Sequence, residues 1–145
     1  MDAAGKRFAV VVSRWNELIT KELLEGALAE LQRHGDPEVT VIRTPGTWEI
    51  PVAVKRVLAG SSAPQAVIAL GCILQGQTPH AKLLASEVGG ALMSLQKETG
   101  VPIAWGILTP DSQEQALERS GLKFGNKGRE AAAAAIEMAS LVDQL

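Results

Sequence analysis

Short runs of apolar, largely β-branched residues alternate along this chain with longer stretches in which apolar residues recur every three or four positions. Phe8-Ala9-Val10-Val11-Val12, closed by Ser13-Arg14, reads as a strand. Asn16 then stands as the N-cap of a helix in which Ile19, Leu23, Ala27 and Leu31 fall at i, i+4 spacing, with Leu24 and Leu28 widening the stripe and Gly35 stopping it. Val39-Thr40-Val41-Ile42 is a second strand. Pro45-Gly46 turns the chain, Thr47 is a second N-cap, and Val54, Val57 and Leu58 share a helical face that ends at Gly60.

Val67-Ile68-Ala69-Leu70-Gly71-Cys72-Ile73-Leu74 does not alternate, as expected of a central parallel strand covered on both faces. Thr78-Pro79 reads as N-cap and first helical residue of a long amphipathic helix carrying Leu83, Leu84, Val88, Ala91, Leu92 and Leu95 and ending near Gly100. Gly89 and Gly90 inside it each cost about 1 kcal/mol relative to alanine, which close packing against a neighbour would explain. Residues 101–108 form the fourth strand. Asp111 and Glu114 have capping-box spacing for a short helix ending near Ser120-Gly121. A loop over 123–127 leads to a last, alanine-rich helix with Ile136, Met138, Leu141, Val142 and Leu145 on its apolar side. Strand–helix alternation without hairpin signals predicts one α/β domain over 1–145, with a parallel sheet covered on both faces. Ligands in such sheets bind beyond the carboxyl ends of the strands.

Composition narrows the function classes. A formal net charge of -2, from 14 basic and 16 acidic residues spread along the chain, gives no electrostatic footprint for nucleic acid or an anionic membrane. The longest apolar run is far short of the roughly 20 residues of a membrane helix, and no secretory signal stands at the start. A lone cysteine, Cys72, fits a reducing cytoplasm and cannot form an intramolecular disulfide. One cysteine and two distant histidines match no zinc spacing.

Chemistry concentrates at predicted strand ends. Gly76-Gln77-Thr78-Pro79-His80 joins the central strand to a helix N-terminus whose free amides favour an anion such as phosphate. Spacing alone is equally compatible with an ordinary capped turn. His80, in the first helical turn, is either a surface histidine or a proton carrier, the positive helix end favouring the neutral ring that acts as a base. Trp15, Trp48 and Trp105 each fall just after or late in a strand. Singly, each fits core packing; together, in a chain with no tyrosine and only two phenylalanines, they point to a pocket for a flat heterocycle. Glu49 either complements a helix dipole or binds a ligand, and Arg119 and Lys127 either hold an anion or are solvated surface cations.

Taken together, these segments resemble the lumazine synthase family from Arg14 to Met138. Trp15-Asn16 with Ile19, Leu23-Leu24 and Gly26-Ala27 is similar to its first signature, and Pro45-Gly46-Thr47-Trp48-Glu49-Ile50-Pro51 to its second. Ala69-Leu70-Gly71 with Gly76, Thr78 and His80 resembles the third. The fourth runs from Gly106-Ile107-Leu108-Thr109 through Glu114-Gln115-Ala116 and Arg119 to Gly125-Asn126-Lys127-Gly128 and Glu130. Gln75 departs from the family, many of whose members carry arginine there, and tryptophan stands where phenylalanine is common.

The resemblance implies condensation of 5-amino-6-(D-ribitylamino)uracil with 3,4-dihydroxy-2-butanone 4-phosphate to 6,7-dimethyl-8-ribityllumazine, with loss of phosphate and water and no cofactor. It assigns His80 to proton transfer. Substrate binding falls to Trp15, Asn16, Trp48, Glu49, Ile50, Cys72, Ile73, Leu74, Gln77, Thr78, Trp105, Arg119 and Lys127. Within that set Trp15 stacks on the pyrimidine, Trp48, Glu49 and Ile50 meet ring and ribityl chain, Gln77, Thr78 and Arg119 hold phosphate, and Trp105 comes from a neighbouring subunit. It further implies a flavodoxin-like three-layer αβα sandwich around four parallel strands, pentamers or an icosahedral shell of them, and riboflavin synthase as a protein partner. The competing readings are a non-catalytic flavin- or lumazine-binding protein and a purely shell-forming one.

Overall fold

A computed structural model of the chain describes residues 1–76, 79–121 and 125–145. Strand β1 (Arg7–Ser13) leads into helix α1 (Glu17–Arg33); β2 (Glu38–Thr44) leads through a 3-10 turn (Thr47–Glu49) into α2 (Ile50–Leu58). Strand β3 (Ala66–Cys72) is followed by α3 (Ala81–Thr99), and β4 (Ile103–Leu108) by the short α4 (Gln113–Glu118) and by α5 (Lys127–Asp143).

The strands make one parallel sheet in the order β2-β1-β3-β4. Because side chains alternate across a strand, Phe8, Val10, Val12, Ile68 and Leu70 pack on α1 and α5, while Ala9, Val11, Val67 and Ala69 pack on α2 and α3. Every residue of β3 is buried, which is why its sequence shows no alternation. The result is the flavodoxin-like α/β sandwich expected. Its topology matters for function: β1 sends its helix to one face and its neighbour β3 sends its helix to the other, opening a crevice beyond their carboxyl ends. Among the described residues no helix is long and apolar enough to cross a membrane.

Element ends differ from the pattern reading for local reasons. The apolar run into Ile73 and Leu74 continues past the end of β3, because these residues are buried in the loop that floors the crevice. Strand β4 begins at Ile103, after Pro102, which has no N–H to give the ladder but accepts from the Val67 amide at 2.9 Å. Thr47 is not a cap; it is buried, and Gly46 precedes the 3-10 turn instead. The cap of α4 is Ser112 rather than Asp111, its hydroxyl accepting from the Gln115 amide at 3.1 Å while the Gln115 side chain accepts from the Asp111 amide at 2.8 Å. Helix α3 starts at Ala81 with His80 as its cap residue, so Pro79 lies outside it, and the expected cap Thr78 lies outside the described residues. The same holds for Leu122, Lys123 and Phe124 at the start of the last loop. Of the paired glycines of α3, Gly89 faces the Trp105 ring, whereas Gly90 meets open space and no packing in the described chain accounts for it.

The tightest helix contact joins α1 to α5. A Cβ on Gly128 would overlap the Leu23 carbonyl, and one on Gly26 would overlap the Asn126 side chain. Asn126 caps α5 by accepting from the Arg129 amide at 3.0 Å, and its Nδ2 donates to the carbonyls of Glu22 at 2.8 Å and Ser120 at 3.1 Å. A single side chain thus ends one loop, starts one helix and pins it to another. Gly128→Ala is therefore expected to lower stability by about 3 kcal/mol through overpacking against backbone that cannot yield. Urea unfolding of the variant beside the intact chain measures it; an unchanged midpoint would show that the two helices separate freely.

Candidate active site

The crevice between the ends of β1 and β3 holds a cavity of about 220 Å³ lined by Trp15, Asn16, Thr47, Trp48, Cys72, Ile73, Leu74 and Leu84. Its geometry starts at Asn16. This residue caps α1 by position but its side chain makes no capping bond; its backbone is left-handed, with φ 65° and ψ 46°, a conformation asparagine tolerates better than most residues. The side chain instead crosses the crevice, Nδ2 donating to the Cys72 carbonyl at 2.9 Å and tying the β1 loop to the end of β3.

The second wall comes from the loop after β2. The Arg14 and Trp15 amides donate to the Thr44 and Pro45 carbonyls at 2.8 and 3.0 Å, laying the first loop along the second. The Thr44 hydroxyl closes the turn onto the Gly46 carbonyl at 2.8 Å. Trp15 lies against Gly46 so closely that a Cβ there would overlap its ring, which explains a glycine at that place. One carboxylate oxygen of Glu49, Oε1, accepts from the Gly46 amide at 2.8 Å, closing the turn before α2 and leaving Oε2 for a ligand. Trp15 and Trp48 remain 66% and 60% exposed, in contrast to a core tryptophan. Trp48 also borders a second cavity of about 360 Å³ with Glu49, Pro51, Val52, Glu87, Val88 and Ala91, so the ring stands between two concavities.

Cys72 and Ile50 contribute differently. Burial pushes the Cys72 thiol from 9.0 up to about 11, so it stays protonated and un-nucleophilic at neutral pH and serves the site through its carbonyl and its bulk. The Ile50 side chain is fully buried with Val54 beneath the crevice, leaving only its backbone to reach a ligand.

The remaining expected residues separate into groups. His80 caps α3, and its carbonyl accepts from the amide of Leu84, a cavity-lining residue, at 2.8 Å. Gln77 and Thr78 lie outside the described residues. Arg119, at the end of α4, and Lys127, at the start of α5, are brought together, the Lys127 amide donating to the Arg119 carbonyl at 3.0 Å. Neither lines the tryptophan cavity. Trp105 is not at a strand end: it lies mid-strand opposite Ala69 and packs half-buried in a small recess with Gly89, Leu92, Met93, Gln96 and Ile103 of α3 and β4. Thr47 and Leu84 line the cavity without having been singled out, because a threonine before a helix looks like a cap and a leucine at i, i+4 looks like core. Gln75 borders a separate cavity of about 460 Å³ with Pro79, Ala81, Lys82, Thr109 and Asp111. Among the described residues no group of three or more His, Cys, Asp or Glu is placed to hold a metal.

Asn16 separates two effects that can be measured. Asn16→Ala loses the bond to Cys72 and takes on left-handed strain, together on the order of 2 kcal/mol, whereas Asn16→Gly loses only the bond. The alanine variant is expected to be the less stable in chemical denaturation; equal losses would mean that the backbone conformation carries no strain.

The profile of the 6,7-dimethyl-8-ribityllumazine synthase family matches residues 5–143. A 6,7-dimethyl-8-ribityllumazine synthase of Desulfotalea psychrophila is 48% identical over 147 aligned positions, covering 100% of this chain and 94% of that protein. A crevice at the β1–β3 switch point, walled by exposed aromatic rings, and a match along the length of the chain lead to one conclusion: the chain belongs to the 6,7-dimethyl-8-ribityllumazine synthase family.

Proposed function

We propose that the chain forms 6,7-dimethyl-8-ribityllumazine, a step of riboflavin biosynthesis, by condensing 5-amino-6-(D-ribitylamino)uracil with 3,4-dihydroxy-2-butanone 4-phosphate, with the tryptophan cavity as the uracil site. The observation that carries this is the pair of exposed rings, Trp15 and Trp48, held over the ends of β1 and β3 by the Asn16–Cys72 bond. A flat heterocycle entering there stacks on Trp15, and the free Oε2 of Glu49 accepts from ribityl hydroxyls. Backbone groups near Ile50, Ile73 and Leu74 complete the polar fit.

The 5-amino nitrogen attacks the butanone ketone and loss of water leaves an imine. Phosphate then departs, and the ribitylamino nitrogen closes the ring with loss of a further water. His80 moves protons in these steps from the rim of the crevice. Arg119, with the amides of Gln77 and Thr78, takes the phosphate, a cation and donors that would offset the charge developing on the leaving group. Lys127 lies beside Arg119 and serves the same end.

In one chain Arg119, Lys127 and Trp105 stand apart from the tryptophan cavity. This supports a site built between two copies, one giving the cavity and His80, its neighbour giving Trp105, Arg119 and Lys127. A closed ring such as a pentamer satisfies this head-to-tail requirement, and such rings are the units from which a shell is built. The enzyme works in the cytoplasm as one domain per subunit.

Lumazine formation followed by absorbance tests the roles. His80→Ala is expected to lower kcat about 10²–10³-fold by removing the proton carrier. Arg119→Ala is expected to raise KM for the butanone phosphate and to lower kcat, with KM for the uracil little changed. An intact protein that formed lumazine no faster than the uncatalysed mixture yet bound riboflavin tightly would replace the enzyme with a binding protein.

A further inference from the structure

Between α1 and the edge strand β2, on the side of the first loop away from the tryptophan cavity, lies a separate concavity of about 220 Å³ lined by Val12, Ser13, Arg14, Glu17, Thr20, Lys21, Leu24 and Arg43. Its charge is built from three elements. Arg14 follows β1 directly, Lys21 comes from the first turns of α1, and Arg43 comes from β2. The register fixes where Arg43 points: it pairs with Val12, and Val41 and Val39, two and four residues earlier on the same side of β2, pack against the α1 core cluster. A strand face that is apolar for two positions thus changes to a guanidinium at the mouth of the layer.

Glu17 is the one carboxylate among the lining residues, leaving a formal excess of two positive charges in a chain whose total is -2. Glu17 and Lys21 have the i, i+4 order that favours pairing on a helix, yet they form no ion pair. Among the described residues the carboxylate contacts of cations are those of Arg33 and His34 with Glu30, at the other end of α1. Three cations around one recess, none in an ion pair and outnumbering the one carboxylate beside them, make a site for a compact multivalent anion.

We propose that this recess binds a phosphate group, as inorganic phosphate or as the phosphate end of a small phosphomonoester, at a place distinct from the substrate cavity. The inference does not depend on the reaction assigned above, since neither Lys21 nor Arg43 lines the tryptophan cavity. Equilibrium dialysis of the full-length protein against radiolabelled inorganic phosphate tests it, beside Lys21→Ala/Arg43→Ala and, separately, Arg119→Ala. The expected result is that the double variant loses one bound phosphate per chain, or binds it at least tenfold more weakly, while its kcat and KM for lumazine formation stay those of the intact protein. Ribose 5-phosphate as competitor separates the sources: displacement from the recess identifies a phosphomonoester, and persistence of the label identifies free phosphate. Arg119→Ala reports on the catalytic phosphate site alone, so failure there leaves the recess untouched. Both alanine changes are at exposed side chains, and Lys21→Glu provides a second, charge-reversing variant. Phosphate binding by both recess variants equal to that of the intact protein in stoichiometry and affinity would overturn the proposal.

Discussion

The bond from the Asn16 side chain to the Cys72 carbonyl carries the arrangement of the crevice. It spans the junction at which two adjacent strands send their helices to opposite faces, and an open junction of that kind has unpaired backbone groups and room for solvent. By crossing it, Asn16 fixes the first loop relative to the sheet, and the loop in turn places Trp15 on Gly46. Gly46 is held by Glu49 and Thr44, so the second loop is set by the same chain of contacts. The left-handed backbone at Asn16 is the local cost of that geometry, offset by the bond and by the packing it permits.

Rigidity at the base of the site comes from elsewhere. The β3 strand is buried throughout, and α5 is locked to α1 through Gly128 and the triple bonding of Asn126. Those contacts also set where α5 begins, and therefore where Lys127 and Arg119 stand. The two exposed rings of the crevice are consequently carried on a frame whose core does not include them. Trp15 and Trp48 are free to be binding surfaces because the core is complete without their rings.

Much of this was legible in the residues. The sheet could be read because burial on both faces removes alternation from a strand, and Val67 to Cys72 shows that pattern clearly. The Trp15 and Trp48 loops were legible because large rings after strand ends have little else to do in a chain poor in aromatics. The position of Trp105 was not legible: it lies mid-strand and half-buried against Gly89, which spacing does not separate from a strand end. Thr47 and Leu84 were hidden because a cap and a core stripe produce the same pattern as a cavity lining. The cap of α4 slipped by one position because Asp111 and Ser112 both suit it, and only the bond to the Gln115 amide decides. Asn16 was placed correctly at a helix start, but nothing local to it announces a partner 56 residues away.

The proposed site is shared between subunits, one supplying the tryptophan cavity with His80 and the next supplying Arg119. Co-expression of His80→Ala and Arg119→Ala chains, each expected to be strongly impaired alone, measures this directly. With random mixing in a closed ring, about a quarter of interfaces would join an intact His80 side to an intact Arg119 side. Recovery of lumazine formation toward that fraction of the unmutated rate is the predicted result. Co-assembled chains no more active than either parent would contradict it and place both residues in one subunit's site.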